Sequence, residues 1–374
     1  MRLLLDATAI PPDRGGVGRY VDALLPALAR QGVDLVVVCQ RRDAASTSAL
    51  VPSAEVVCAP AQITGRPVRM AWEQVGLPRL VRATGAQVVH SPHYTMPRLA
   101  GVPVVVTLHD ATFFSHPGLH SPLKARFFRS AIRTAVHRAH ALVVPSRATR
   151  DEVLRFVGGR QDLFHVAYHG VDPAVFHPVD QAEQARVRAS LGLADQGYIG
   201  FLGTLEPRKN VPALIRGWVR AVAGSSDPPA LVLAGGPGWD DGVDPAIAAV
   251  PAGLRVLRPG YVPLGDLPGF LSGARILAYP SLGEGFGLPV LEAMACGAAV
   301  LTTRELSLPE VGGDAVAYCG TGEASIAAEI GALLADDARR AELSAAAVVR
   351  AGRFTWDEAA AVHVEAYQAA LRRE

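Results

Sequence analysis

With 374 residues, half of them apolar and 19% charged, the chain is long enough for two domains with cores of their own and too apolar for a disordered protein. A formal net charge of +1 argues against a nucleic-acid partner and against an acidic tail. Cys39, Cys58, Cys296 and Cys319 form no C-x-x-C and no cluster with histidine, which suggests free thiols in a reducing cytoplasm.

The charge is unevenly spread. Up to residue 172 there are 20 Lys+Arg against 12 Asp+Glu, and beyond it 16 against 23, so two domains with different partners are expected. Only Lys124 and Lys209 are lysines, and the other 34 basic residues are arginine. A lysine therefore marks a place where arginine does not serve.

Met1 to Ile10 is apolar but interrupted by Asp6 and too short to span a membrane, so it reads as a first strand. It runs into Gly15-Gly16-Val17-Gly18-Arg19-Tyr20, after which Val21, Leu24, Leu25 and Leu28 recur at helical spacing. This is strand, glycine loop and helix, an anion cradle that is neither G-x-G-x-x-G nor a Walker loop. Apolar runs at Leu35 to Val38, Gln87 to Val89, Val102 to Val106, Leu142 to Val144 and Phe164 to Ala167 alternate with helix-like stretches. They predict a doubly wound parallel sheet, with 41–65 left undefined.

Two strand ends in this half carry polar residues, His90-Ser91-Pro92-His93 and Thr107-Leu108-His109-Asp110, where a parallel sheet gathers ligands. His90 and His93 read as structural residues. Residues 121–140 hold one lysine, four arginines and no acid around an apolar stripe of Phe127, Phe128, Ile132 and Val136. That suits a helix on an anionic membrane surface and equally a solvated basic face over a core contact.

Breakers at His169-Gly170-Val171-Asp172-Pro173 place the domain boundary at residue 172, giving domains 1–172 and 173–355. A short helix is expected over 181–191. Tyr198 to Leu202 is a strand followed by Glu206-Pro207-Arg208-Lys209-Asn210, where Asn210 can cap a helix and the two cations can clamp a phosphate. Leu231 to Gly236 and Val300 to Thr302 are further strands, and Gly260-Tyr261-Val262-Pro263 is a turn.

Arg275 to Tyr279 is a buried strand that enters Pro280-Ser281-Leu282-Gly283-Glu284-Gly285-Phe286-Gly287-Leu288-Pro289, then a helix carrying Glu292. The glycines let the backbone approach a ligand, and Pro289 suits the first turn of a helix whose free N–H groups attract an anion. Glu284 and Glu292 are better suited to hydroxyls than to phosphate. A phosphate with several hydroxyls describes a nucleotide sugar.

This stretch resembles the E-x7-E signature of retaining glycosyltransferases of family four, an α/β class with the GT-B fold of two Rossmann-like domains facing a cleft. The resemblance extends to H-D-x-x-F at His109, H-G-V-D at residue 169, R-K-N at Arg208 and L-P-E-x-x-G at Leu308. It implies that Glu284 contacts the donor sugar and Glu292 the ribose, while the backbone of Gly285, Phe286, Gly287 and Leu288 faces sugar and diphosphate. Arg208 and Lys209 would hold the diphosphate, Gly15, Gly16 and Gly18 would close over it, and His109 would lie near the sugar. Backbone near Tyr261 and Val262 would hold the base, and the helix from about Trp356 would pack back on the first domain.

The implied activity is metal-independent hexosyl transfer with no cofactor beyond the nucleotide sugar, to a saccharide or lipid-linked acceptor. The protein would be cytoplasmic or peripheral on the inner face of the membrane. No D-x-D occurs, and two cations with two helix ends can neutralise a leaving diphosphate. The G-G-V-G-R-Y and H-S-P-H-Y segments look most like bacterial polysaccharide mannosyltransferases, which suggests GDP-mannose. The alternatives are a non-transferase GT-B protein such as a nucleotide-sugar epimerase, or an inactive sugar-nucleotide-binding subunit. A nicotinamide-dependent oxidoreductase would need the G-x-G-x-x-G that is absent.

Overall fold

The computed structural model describes residues 1–12, 14–193 and 196–373. The chain divides into two compact units, one of Met1–Gly170 with Thr355–Glu374 and one of Val171–Phe354. Among the described residues the first holds seven strands: β1 (Arg2–Asp6), β2 (Asp34–Cys39), β3 (Glu55–Cys58), β4 (Val88–Ser91), β5 (Val104–Thr107), β6 (Ala141–Val144) and β7 (Phe164–Val166). They pair in parallel in the order β3-β2-β1-β4-β5-β6-β7. The second holds β8 (Tyr198–Leu202), β9 (Ala230–Ala234), β10 (Val256–Gly260), β11 (Ile276–Tyr279), β12 (Val300–Thr303) and β13 (Ala317–Cys319), parallel in the order β10-β9-β8-β11-β12-β13. Both are doubly wound sheets, and in each the strand order reverses beside the first strand, at β1/β4 and at β8/β11. A doubly wound sheet offers its ligand crevice at that point.

The period of two explains the packing. Leu3 and Leu5 of β1 join one core with Tyr20, Leu24 and Leu28 of the helix Gly15–Arg30, whereas Leu4 joins the opposite core with Leu77 and Ile132. Three strands, β3, β10 and β13, have no counterpart among those expected from the sequence, and each is an edge strand. Edge strands are half-exposed and need no apolar run: β3 is partly exposed along its length and β10 carries Arg258 and Pro259. The first helix also begins earlier than the apolar spacing suggests, so Gly15, Gly16 and Gly18 form its opening turn rather than a loop before it.

A buried hydrogen-bond chain ties the helix Trp356–Leu371 to the first sheet. The His363 Nδ1–H donates to the Ala359 carbonyl (2.7 Å), so Nε2 accepts from the Tyr20 hydroxyl (2.7 Å). Tyr20 then accepts from Thr107 Oγ1 (3.0 Å), Thr107 from His90 Nε2 (2.8 Å), and His90 Nδ1 from the Tyr367 hydroxyl (2.9 Å). Every member is satisfied in one direction, and only neutral imidazoles permit it. His90 is therefore a structural residue of this chain.

Burial brings the His363 imidazole down to about 4 from its ordinary 6.5, against the Ala359 bond. The unfolded chain takes up that proton near pH 6.5 while the folded one resists it, so stability falls as pH drops from 6.5 towards 4. His363→Gln is expected to flatten that limb of a urea-denaturation series run against pH. Tyr20→Phe is expected to cost about 1–3 kcal/mol in the same assay, because it strands two buried polar partners.

Candidate functional site

The loops that follow β8 and β11 converge at the switch point of the second sheet. After β8 the chain makes a single turn over Pro207–Lys209, held by Asn210 in the left-handed region (φ 59°) before the helix Val211–Ala221. Asn210 stands at the expected cap position, but its side chain donates elsewhere, to the carbonyls of Pro280 (3.2 Å) and Thr321 (2.8 Å). It thus staples the β8 loop to the β11 loop. The Leu282 amide donates to the Arg208 carbonyl (2.8 Å), completing the junction.

Glu284 lies at its centre and is 6% exposed. Its Oε2 receives Arg208 Nη1, and its Oε1 receives Lys209 Nζ (2.7 Å), Ser281 Oγ (2.7 Å) and the Tyr279 hydroxyl (3.0 Å). Arg208 also donates to the Gly283 carbonyl (2.9 Å) and pairs with Glu206 (3.4 Å). The Lys209 ammonium donates to the Tyr279 hydroxyl and lies 4.8 Å from its ring centroid. Burial raises the Glu284 carboxyl, but the charges of Arg208 and Lys209, with hydrogen bonds from Lys209 and Ser281, outweigh it and bring the group down to about 2. Burial, then the Glu284 charge, push the Tyr279 phenol well above its usual range, so it stays a donor.

Ser307 Oγ shares its proton between the carbonyls of Glu284 (2.8 Å) and Phe286 (2.9 Å), fixing the glycine turn. Gly287 precedes the helix Leu288–Ala295 at φ 103°, where a side chain would be strained and would also meet Leu308. Gly285 and Phe286 are buried and Leu288 half-buried, with Pro289 in the first turn as expected. Glu292 is buried in that helix, at 2% exposure. Tyr261 and Val262 follow β10; Tyr261 is 66% exposed, with its hydroxyl over Gly236.

The remaining expected residues belong to the first unit. Gly15 and Gly16 are exposed with open space above them, whereas an added Cβ on Gly18 would lie 2.8 Å from that of Arg14. His109 follows β5, and its Nε2–H donates to the Pro92 carbonyl (2.7 Å), leaving Nδ1 as an acceptor. Burial lowers its pKa against the Pro92 bond and Asp110, so it is neutral at pH 7.

Tyr279, Ser281 and Ser307 escaped the sequence reading. The signal for the first two was present: they are two residues apart at a strand end, on the side of Glu284, and Tyr279 is the polar end of an otherwise aliphatic strand. Among the described residues, no group of three or more His, Cys, Asp or Glu is placed to hold a metal ion.

Removing one member of a buried ion pair leaves the other uncompensated. Lys209→Met is expected to destabilise the protein by about 3–5 kcal/mol in chemical denaturation. The double variant Lys209→Met/Glu284→Gln should fall well short of the sum of the two single losses.

Comparison with known proteins places this geometry in context. The profile described as Glycosyltransferase Family 4 matches residues 14–175, and that described as Glycosyl transferases group 1 matches residues 183–350. The chain is 32% identical over 307 residues to the O-antigen chain mannosyltransferase B of Escherichia coli, covering 81% of this chain and 77% of that one. It is 31% identical over 399 residues to the D-inositol 3-phosphate glycosyltransferase of Xylanimonas cellulosilytica, covering 96% and 93%. The fold matches that of Anabaena HepE, solved with UDP and glucose, at a TM-score of 0.75 and 21% identity over 98% of each chain.

Proposed function

We propose that this chain, which belongs to glycosyltransferase family four, moves a hexose from a nucleotide diphosphate sugar to a saccharide or lipid-linked acceptor. Transfer proceeds with retention at the anomeric carbon and without a metal ion. The observation that carries this reading is the meeting of Arg208, Lys209 and Glu284 at the switch point of the second sheet, before the free end of the helix Leu288–Ala295. Two cations and a helix N-terminus suit a diphosphate, and a carboxylate held ionised suits sugar hydroxyls.

In this reading Arg208 and Lys209 stabilise the charge that develops on the β-phosphate as the bond from the anomeric carbon to the phosphate oxygen breaks. The acceptor oxygen bonds to the same face of that carbon, and its proton passes to the departing phosphate. Glu284 orients the sugar, Glu292 takes the ribose, and backbone at Gly285, Phe286, Gly287 and Leu288 takes sugar and diphosphate. Backbone near Tyr261 and Val262 takes the base. In the first unit, His109 offers Nδ1 to the sugar, and Gly15, Gly16 and Gly18 open a helix end to the diphosphate. Similarity to the Escherichia coli mannosyltransferase supports mannose as the hexose and GDP-mannose as the donor.

Thermal stabilisation by GDP, UDP, dTDP and ADP in EDTA tests the site. A ligand at 100 times its Kd adds about 2.7 kcal/mol. One diphosphate is expected to raise the Tm of the wild type, and Arg208→Ala to lose most of the rise. No response to any of the four, or an equal response in Arg208→Ala, overturns the assignment.

We place the acceptor side at an anionic membrane surface. The helix Pro122–Arg138 forms as expected, but its stripe of Phe128, Ile132 and Val136 packs into the first unit, and Arg129 and Arg133 lie over the Phe114 ring. The membrane-facing part is therefore its first turn, where Leu123 is 81% exposed beside exposed Lys124 and Arg126. Among the described residues no helix is long and apolar enough to cross a membrane. Co-sedimentation with vesicles rich in phosphatidylglycerol is expected to fall several-fold in Leu123→Asp/Lys124→Glu; equal sedimentation overturns the placement.

A further inference from the structure

The two oxygens of Glu284 are unequally engaged. Oε1 meets Lys209, Tyr279 and Ser281, more donors than its two lone pairs, whereas Oε2 takes Arg208. A sugar hydroxyl therefore reaches Glu284 at Oε2, the oxygen that Arg208 holds. Tyr279 and Ser281 are fully buried, and the Lys209 ammonium is fixed between Glu284 and the Tyr279 hydroxyl. Arg208 is the most exposed of the four, with 15% of its side chain accessible, and among the described residues it alone binds Oε2. It is also the group with the most to gain from a phosphate, which its planar fork matches.

On the reading of the second unit as a donor site, we infer that Glu284 makes the site select the nucleotide sugar over the nucleoside diphosphate left after transfer. It does so by holding Arg208 until one ligand brings both an anion for the guanidinium and a hydroxyl for the carboxylate. A nucleotide sugar replaces both halves of the broken pair. A free diphosphate draws Arg208 away but returns no hydroxyl to Oε2, and its unesterified β-phosphate carries an additional ionisable oxygen towards the Glu284 charge. Departure of the spent nucleotide then restores the Arg208–Glu284 pair. The carboxylate thus disfavours the product in the same place where it positions the substrate.

The test is a pair of calorimetric titrations in EDTA without acceptor, using the nucleoside diphosphate that stabilises the protein and its sugar ester, on the wild type and on Glu284→Gln. The wild type is expected to bind the sugar nucleotide more tightly, on the order of tenfold, the worth of one hydrogen bond to a charged group. In Glu284→Gln the free diphosphate is expected to gain affinity by a similar factor, and the advantage of the sugar ester to disappear. Equal or tighter binding of the free diphosphate by the wild type overturns the inference, and that arm needs no variant to fold. An unchanged ratio in folded Glu284→Gln overturns it as well while leaving the donor site standing. Absence of any nucleotide binding to the wild type overturns the functional reading and this inference together.

Discussion

A buried carboxylate drawn between two buried or half-buried cations organises the second unit. Glu284, Arg208 and Lys209 come from loops 70 or more residues apart in sequence, and each would be costly to bury alone. Their mutual pairing, with Tyr279 and Ser281 donating to the same carboxylate, makes the burial tolerable. The surrounding features serve to bring the loops together: Asn210 bonds the second loop from the first, and Ser307 fixes the glycine turn. The electrostatic consequence is a carboxylate that stays ionised at any physiological pH, next to cations already gathered for a more highly charged guest.

The sheets explain why this happens where it does. Both place their strand-order reversal beside the first strand of the unit, and the polar residues sit just past the carboxyl ends of the strands at that reversal or one strand away. In the second unit the result is an ion cluster. In the first it is a set of neutral histidines, with His90 and His363 built into a directed hydrogen-bond chain and His109 held in one tautomer by the Pro92 carbonyl. The same chain fastens the helix Trp356–Leu371 onto the first sheet, so the last segment of the sequence completes the core of the first unit.

Much of this was legible beforehand because strong local patterns carried it. Central strands, buried on both faces, read as apolar runs; the edge strands β3 and β10 did not, because half-exposed backbone imposes no such composition, and β13, buried at Ala317 and Cys319, is only three residues long. The glycine turn before Leu288 and the cations at residues 208 and 209 announced themselves by residue type. What stayed hidden was pairing over long sequence distance. Nothing local told that Arg208 and Lys209 would close on Glu284, that Asn210 would bond the Pro280 and Thr321 carbonyls rather than its own helix, or that Tyr20, His90 and His363 would share one chain. The basic stripe at 121–140 left its two readings open, since its period is the same whether the apolar face meets lipid or core.

The account stands most directly on where a donor binds. A crystal structure of the wild type with the nucleotide sugar that stabilises it decides the matter. The diphosphate is predicted within hydrogen-bond reach of Arg208 and Lys209 at the start of the helix Leu288–Ala295, with a sugar hydroxyl on Glu284 Oε2 in place of Arg208. A nucleotide seated elsewhere, or seated there with Arg208 still closed on Glu284, would contradict it.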